Sequence, residues 1–472
     1  MINTTLLDSI LKHQNNNKYI VANTYLHILH KNPELLERYN LSSIEKLYQA
    51  VTFFLFTAYK LYQAFFYKEP NFNKDKGFKF DVLFVSHFTN IEQFNHDDPF
   101  FGDIPTQLSN EGLSSGICLI NGIGAKYTQY PSPWKDKKVP RLILSSSLSF
   151  FSEIKLYFSQ RKARKRLKHI LNDLQVKKSD KKEILLNHHS PSTSTALRIA
   201  IQLADIVRKT NAKYIITTYE GHSWERLVYY YARKVNQDIK CFGFQHAAVF
   251  NDQYALKRPL EPLYNPDIIL TSGSVSQKIL SNCLSLRGSK VVCIGSPKYP
   301  KAHKFTNKIN CCLVVPQGTI KECICLFKFS LTYAMQHKEQ KFIWRLHPLM
   351  SFNKLKKYSS IFKNLPKNIY LSEGNFNEDI NKCDCVLYRG TTAVINAINA
   401  GLRPIYYKKN IDELTIDPLY QMGVGKDIVL SQGELKISLN KHADMQTKRS
   451  LQDFAKNFYT PINYKLLKSF MQ

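Results

Sequence analysis

Short apolar runs recur along the chain, each closed by a Gly, Pro, Ser or charged turn and followed by a segment with helical spacing. Runs too short for a helix and unbroken by polar residues read as strands buried on both faces. On that basis strands are expected at 80–86, 116–121, 213–220 and 240–245, then at 267–271, 290–294, 311–315, 341–346, 369–371, 384–388 and 404–407. Helices are expected at 194–209, from Ser223 onward, and at 274–284, 319–336, 375–381 and 391–400, with a strongly basic helical segment over 153–186. Strands alternating with helices imply α/β architecture, parallel sheets joined by right-handed crossovers. The polar, proline-bearing stretch 258–266 marks a joint between two such blocks. The chain is therefore expected to divide into a helical region (1–75), a first Rossmann-like domain (76–258), a second (259–430) and C-terminal helices (431–472).

Within that pattern, 384–407 reads as strand, tight turn, helix, glycine stop and strand, and its turn is Arg389-Gly390-Thr391-Thr392. The unpaired N–H groups and positive dipole end of a helix N-terminus attract anions, phosphates above all. Gly273-Ser274, Gly295-Ser296-Pro297-Lys298 and Arg345-Leu346-His347-Pro348 also sit just past expected strands. In a parallel sheet all four turns share one edge, where ligands of such folds bind. Each turn alone is ordinary loop chemistry. Jointly, Ser296, Lys298, Arg345, His347, Arg389, Thr391 and Thr392 suit a phosphate and a ribose, and are the candidate donor-binding residues.

In the first half, Tyr219-Glu220-Gly221-His222-Ser223-Trp224-Glu225-Arg226 follows a strand. A carboxylate at a strand end could take a proton from an acceptor hydroxyl; a cap or an ion pair with Arg226 is the alternative for Glu220. Glu225 falls in the first turn of the helix, where an acid suits the dipole. Gln245-His246 ends the next strand, and His246 could bond substrate or sit satisfied in the core. Ser86-His87 and Phe100-Phe101-Gly102-Asp103 resemble acceptor-side loops. The catalytic candidates are Glu220, Asp103 and His246; the acceptor-binding candidates are His87, His222 and Gln245.

Composition narrows the class. The 66 Lys+Arg against 37 Asp+Glu give a formal net charge of +29, which favours anionic partners: nucleic acid, acidic lipid or phosphorylated and carboxylated substrates. Ten cysteines, many inside apolar runs and none in a C-x-x-C pair, fit free thiols in a reducing compartment, and the N-terminus lacks a signal-peptide plan. The aromatic segment 51–66, interrupted by Lys60 and Gln63, is too short and too polar to span a membrane. It is expected as an amphipathic helix that packs on the core, or else rests on a membrane face. No phosphate-binding G-x-x-x-x-G-K-[ST] loop, H-E-x-x-H or G-x-S-x-G is present, and Gly122-Ile123-Gly124-Ala125-Lys126 is only half of a dinucleotide fingerprint. No metal constellation stands out, so metal-independent chemistry is expected.

These residues resemble GT-B glycosyltransferases of bacterial surface-polysaccharide (capsule and lipopolysaccharide) assembly, especially those using CMP-activated acidic sugars. Arg345-Leu346-His347-Pro348 is similar to the His-Pro motif of sialyltransferases and capsule Kdo transferases, whose histidine contacts the donor phosphate. Arg389-Gly390-Thr391-Thr392 sits where those families place a Ser/Thr pair, and Tyr219-Glu220-Gly221 is similar to their acidic-acidic-Gly motif, with Tyr219 in the position of the first acid. The resemblance spans roughly 80–430. It implies two Rossmann-like domains facing across a cleft with an N-terminal helical extension, a nucleotide-sugar cosubstrate and no cofactor. A glycan or lipid-linked acceptor, no nucleic acid, a cytoplasmic location and peripheral contact with an anionic inner membrane are also implied. A CDP-glycerol or polyol-phosphate transferase, a sugar-nucleotide epimerase and a non-catalytic nucleic-acid binder are the competing readings.

Overall fold

The computed structural model describes residues 4–12, 17–27, 43–70, 72, 79–89, 93, 96–123, 138–258, 260–283, 286, 288–300, 310–347, 350–411, 413, 415–423 and 425–471, with the side chains of 43–50 left out. Helices α1 (Thr4–Lys12), α2 (Lys18–Val21) and α3 (Ser43–Phe65) precede the first strand, β1 (Val82–Phe88). Then come α4 (Ile104–Asn110), β2 (Ser115–Asn121), β3 (Arg141–Ile143), α5 (Phe150–Asp173), α6 (Lys178–His188), α7 (Pro191–Thr210), β4 (Tyr214–Thr218), α8 (Ser223–Val235), β5 (Lys240–Gln245), β6 (Ile268–Thr271), α9 (Ser274–Ser281) and β7 (Lys290–Cys293). The second half runs β8 (Cys311–Pro316), α10 (Ile320–Gln336), β9 (Lys341–Trp344), α11 (Phe352–Tyr358), β10 (Ile369–Leu371), α12 (Phe376–Asn381), β11 (Cys385–Arg389), α13 (Ala393–Asn399), β12 (Arg403–Tyr407), β13 (Asp427–Val429), α14 (Gln432–Leu439), α15 (Met445–Phe458) and α16 (Tyr464–Ser469).

The strands form two wholly parallel sheets. The first is ordered β3-β2-β1-β4-β5-β6-β7 and the second β10-β9-β8-β11-β12-β13. Apolar runs such as Val82-Leu83-Phe84-Val85 and Cys311-Cys312-Leu313-Val314 are buried because helices cover both faces. Separate hydrophobic clusters lie on the two sides of each sheet. In both sheets the order reverses beside the first strand, between β1 and β4 and between β8 and β11. At such a switch point the loops beyond the strand ends diverge and leave a crevice.

Two expectations are corrected. The strands expected at 267–271 and 290–294 extend the first sheet, as β6 and β7, so 258–266 does not part the two sheets. That stretch is pinned: Arg226 donates to Asn265 Oδ1 at 2.7 Å and to the carbonyls of Ala255, Leu256 and Arg258, while Arg233 donates to the carbonyls of Leu263 and Asn265 at 2.8 Å. The basic segment expected as one helix over 153–186 is two, α5 and α6, broken at Leu174–Lys177.

The C-terminal tail returns to the first sheet. Helix α15 packs on α13 and α9, and α16 packs on α4. Between them, the backbone of 457–461 lies against Gly273 and Gly295. A Cβ on either glycine would stand 2.1 Å from a tail carbonyl oxygen, so only glycine admits the strap.

Candidate active site at the junction of the two sheets

The carboxyl ends of β1, β4, β5 and β7 bring together His87, Glu220, His222, His246 and Lys298. Gly221, at φ +89°, lets the chain turn after β4; a Cβ there would stand 2.3 Å from Leu256 N. Helix α8 then begins in a reciprocal cap. The Glu225 carboxylate accepts the backbone N–H groups of Glu220, Gly221 and His222, at 2.7 to 3.1 Å, and the His222 ring accepts the N–H of Glu225. Burial pushes the Glu225 carboxyl up to about 7, against the pull of those N–H bonds. Glu225 is thus the cap and Arg226, on α8, is committed to the pinned loop, which leaves Glu220 free of both structural roles.

His222 Nε2 lies 3.2 Å from Glu220 Oε2 and His246 Nε2 lies 3.4 Å from Glu220 Oε1. The cap makes the other His222 nitrogen an acceptor, so Nε2–H is the donor to Glu220. Burial alone would raise the Glu220 carboxyl; the His222 bond and the neighbouring imidazoles outweigh it and hold Glu220 down at about 2. Burial also depresses His87 and His246 to about 4. Both are neutral at pH 7, so His246 stands 3.4 Å from Glu220 as a polar imidazole and not as a charge. Aromatic rings wall the cluster: His87 meets Phe100 and Trp224 edge-on at 5.6 and 5.5 Å, and His246 meets Phe100 at 4.8 Å. Thr218 Oγ1 is 3.5 Å from His87 Nε2.

Lys298, past the end of β7, is solvent-open yet surrounded closely enough that desolvation lowers its pKa, while Glu220 opposes the shift. Across the junction, His347 follows β9 of the second sheet. Burial lowers its pKa first and the Lys298 charge second. Its ring rests on Gly318, past the end of β8.

The other candidates are placed elsewhere. Ser296 is buried, its oxygen accepting the Lys298 N–H at 3.1 Å and its own N–H bonded to the tail carbonyl of Thr460. With Lys298 it belongs to the first sheet, not to the second domain expected to supply donor contacts. Asp103 accepts the Tyr464 hydroxyl at 2.7 Å, which docks α16. Gln245 is buried and donates to the Ala247 carbonyl. Arg345 turns toward β10, donating to Asp379 Oδ2 at 2.6 Å, Ser372 Oγ at 2.9 Å and the Gly374 carbonyl. Arg389 is buried and clasped by two carboxylates, Glu322 and Glu413, with the Tyr407 carbonyl as a further acceptor. Thr391 Oγ1 accepts the Ala393 N–H and so caps its own helix; Thr392 precedes that helix. The structure therefore groups His347 with Lys298 and the Glu220 cluster, and gives Arg345 and Arg389 protein carboxylates as partners. Pro348 of the His-Pro motif and Gly124-Ala125-Lys126 lie outside the described residues.

Sequence reasoning missed Gly318, Trp224 and the carboxylates that hold the two arginines. One of these had a local signal: Thr319-x-x-Glu322 is a capping-box spacing, and Thr319 does accept the Glu322 N–H.

The fold and site together define a twin-sheet α/β protein with an imidazole-flanked carboxylate, a lysine and a further histidine gathered at the sheet junction. No family model matches the chain and no curated protein does. Solved structures similar in layout include the glycotransferase of kitacinnamycin, at 10% identity over 84% of this chain and 100% of that one, TM-score 0.49. SnogD from Streptomyces nogalater is similar at 11% identity over 84% and 100%, TM-score 0.45, and the UDP-GlcNAc 2-epimerase of Methanocaldococcus jannaschii at 10% over 79% and 98%, TM-score 0.43. Nothing about chemistry follows from likenesses this distant.

Proposed function

We propose that the chain is a GT-B glycosyltransferase that moves a sugar from a nucleotide donor to a glycan or lipid-linked acceptor of surface-polysaccharide assembly. The donor in this reading is CMP carrying an acidic sugar such as Kdo or sialic acid. One observation carries it: a carboxylate held ionised beside two imidazoles lies within the electrostatic reach of Lys298, and the charge of Lys298 also reaches His347 of the other sheet. Glu220 accepts the proton of the attacking hydroxyl. The His222 N–H orients one oxygen, the His246 ring stands beside the other, and each oxygen keeps a lone pair for the substrate. Lys298 and His347 hold the donor phosphate. Charge grows on that phosphate as the glycosidic bond breaks, so these groups stabilise the transition state more than the ground state. A donor that also bears a carboxylate suits the Lys298 ammonium near that cluster. The nucleotide sugar is a cosubstrate, and the reading calls for no resident cofactor.

The nucleotide is tested by thermal shift with CMP, CDP, UDP and GDP. A ligand that binds only the native state at a hundred times its Kd stabilises it by about 2.7 kcal/mol. CMP is expected to raise Tm most, followed by turnover of CMP-Kdo or CMP-sialic acid. A response to CDP alone, with transfer of polyol phosphate, would replace this reading with the polyol-phosphate one.

Gly318 offers a test of the His347 role that leaves His347 in place. Its backbone is ordinary, but an ideal Cβ would lie 2.8 Å from His347 Cγ. Gly318→Ala is expected to raise the donor KM about tenfold, ~1.4 kcal/mol of lost binding, while kcat and Tm change little. Equal losses in kcat and Tm would instead make Gly318 a packing residue.

A further inference from the structure

Helix α3 is built inside out. Its exposed stripe is apolar: Val51, Phe54, Leu55, Tyr59, Tyr62, Phe65 and Phe66 recur at helical spacing, with Phe54 at 73% and Phe65 at 70% exposure. Its polar residues face the protein. Lys60 is buried and donates to Gln63 Oε1 at 2.8 Å, and Gln63 accepts Ser146 Oγ at 3.3 Å. Lys60 stacks on Phe56, which also meets the guanidinium of Arg198, itself paired with Glu153. Desolvation, with Arg198 second, holds Lys60 down at about 8, the electrostatic cost of turning a lysine inward. An amphipathic helix folded for water alone would turn this face over.

The stripe continues onto α5. Phe65 packs on Phe150 at 4.7 Å and Phe150 on Phe151 at 5.8 Å. Phe151, Lys155, Phe158, Lys162, Lys165 and Arg166 then share one exposed face of α5. Phe151 is 82% exposed. A hollow of about 530 Å³ opens beside that face, lined by Lys18, Lys162, Arg166 and His169. Among the described residues nothing covers either stripe.

We infer that α3 and α5 form a two-part docking face for an anionic bilayer surface, in which the α3 aromatics enter the interface and the α5 cations meet lipid phosphates. Charge complementarity selects this occupant. A second copy of a chain with net charge +29 would bring basic helices together, whereas an anionic leaflet neutralises them. Exposed aromatics beside Lys and Arg are the composition of an interfacial helix, and no helix among the described residues is long and apolar enough to cross a membrane. The face is independent of the Glu220 cluster, so it stands or falls apart from the transferase reading.

The test is co-sedimentation of the full chain with phosphatidylcholine vesicles, with and without phosphatidylglycerol. Wild type is expected to bind the phosphatidylglycerol vesicles at least ~10-fold more tightly, with binding that weakens as salt rises. Phe54→Ser/Phe65→Ser/Phe66→Ser and Lys162→Glu/Lys165→Glu/Arg166→Glu should each lose at least ~10-fold of that binding. Both sets lie on the surface, so circular dichroism and turnover of a water-soluble acceptor should match wild type. Equal binding by wild type and both variants would overturn the inference. So would a wild-type dimer in light scattering that the serine variant converts to monomer.

Discussion

Glu220→Gln is expected to lower kcat by on the order of 10²-fold or more, the low end of what general-base catalysis contributes, while the donor KM and Tm stay close to wild type. The low end follows from the acidity of the carboxylate. A group held at about 2 by its surroundings is a weak base, and its advantage lies in position and constant ionisation. The fold should tolerate the change. A glutamine oxygen can accept from His222, whose tautomer the cap fixes, and the amide N–H₂ can donate to His246 when that ring, which has no such restraint, presents Nε2 as an acceptor. Transfer by Glu220→Gln at the wild-type rate would remove the base from the mechanism.

The pH profile carries the same signature. His87 and His246 charge only near pH 4, and protonation of His246 turns its contact with Glu220 into an ion pair that withdraws the base. The acid limb of kcat/KM is therefore expected near pH 4. A limb near the ordinary imidazole value of about 6.5 would assign the base to a different, exposed histidine. On the alkaline side Lys298, with its pKa lowered by desolvation, loses its charge before an ordinary lysine would, so donor KM should rise first there.

What the sequence disclosed follows from what each signal measures. Strands buried on both faces write themselves as apolar runs, and nearly every such run became a strand within two residues of its expected place. Strands β3 and β13 went unread because each has three residues and carries Arg141 or Asp427. The joint at 258–266 was misplaced because polarity and proline mark a loop but not whether it is pinned, and Arg226 and Arg233 pin this one from another helix. In α3 the period was legible but not the direction: an apolar stripe looks the same in sequence whether it faces in or out. The Glu220 cluster was legible because its members stand at the carboxyl end of a strand or within five residues past it, where parallel-sheet topology must gather them. Arg345 and Arg389 obeyed the same rule, and were read as anion ligands because their carboxylate partners are 24 to 67 residues away in the chain.

Arg389 yields the largest expected effect on stability. Its side chain is 3% exposed, and those of Glu322 and Glu413 are each 16% exposed. Arg389→Met removes the guanidinium shared by two largely buried anions, leaving them Lys409, whose ammonium is 3.8 Å from Glu322 and whose backbone N–H bonds Glu413 at 2.8 Å; the loss should cost about 3–5 kcal/mol, because breaking a buried pair from one side leaves its anions poorly compensated. Adding Glu322→Gln and Glu413→Gln should restore most of the loss at neutral pH, since the anions themselves are then gone. Urea unfolding of the single and triple variants measures this. Nucleotide binding separates the clamp from an anion site: the triple variant should keep the wild-type thermal shift with CMP. A single variant that unfolds like wild type but no longer responds to CMP would return Arg389 to the donor phosphate.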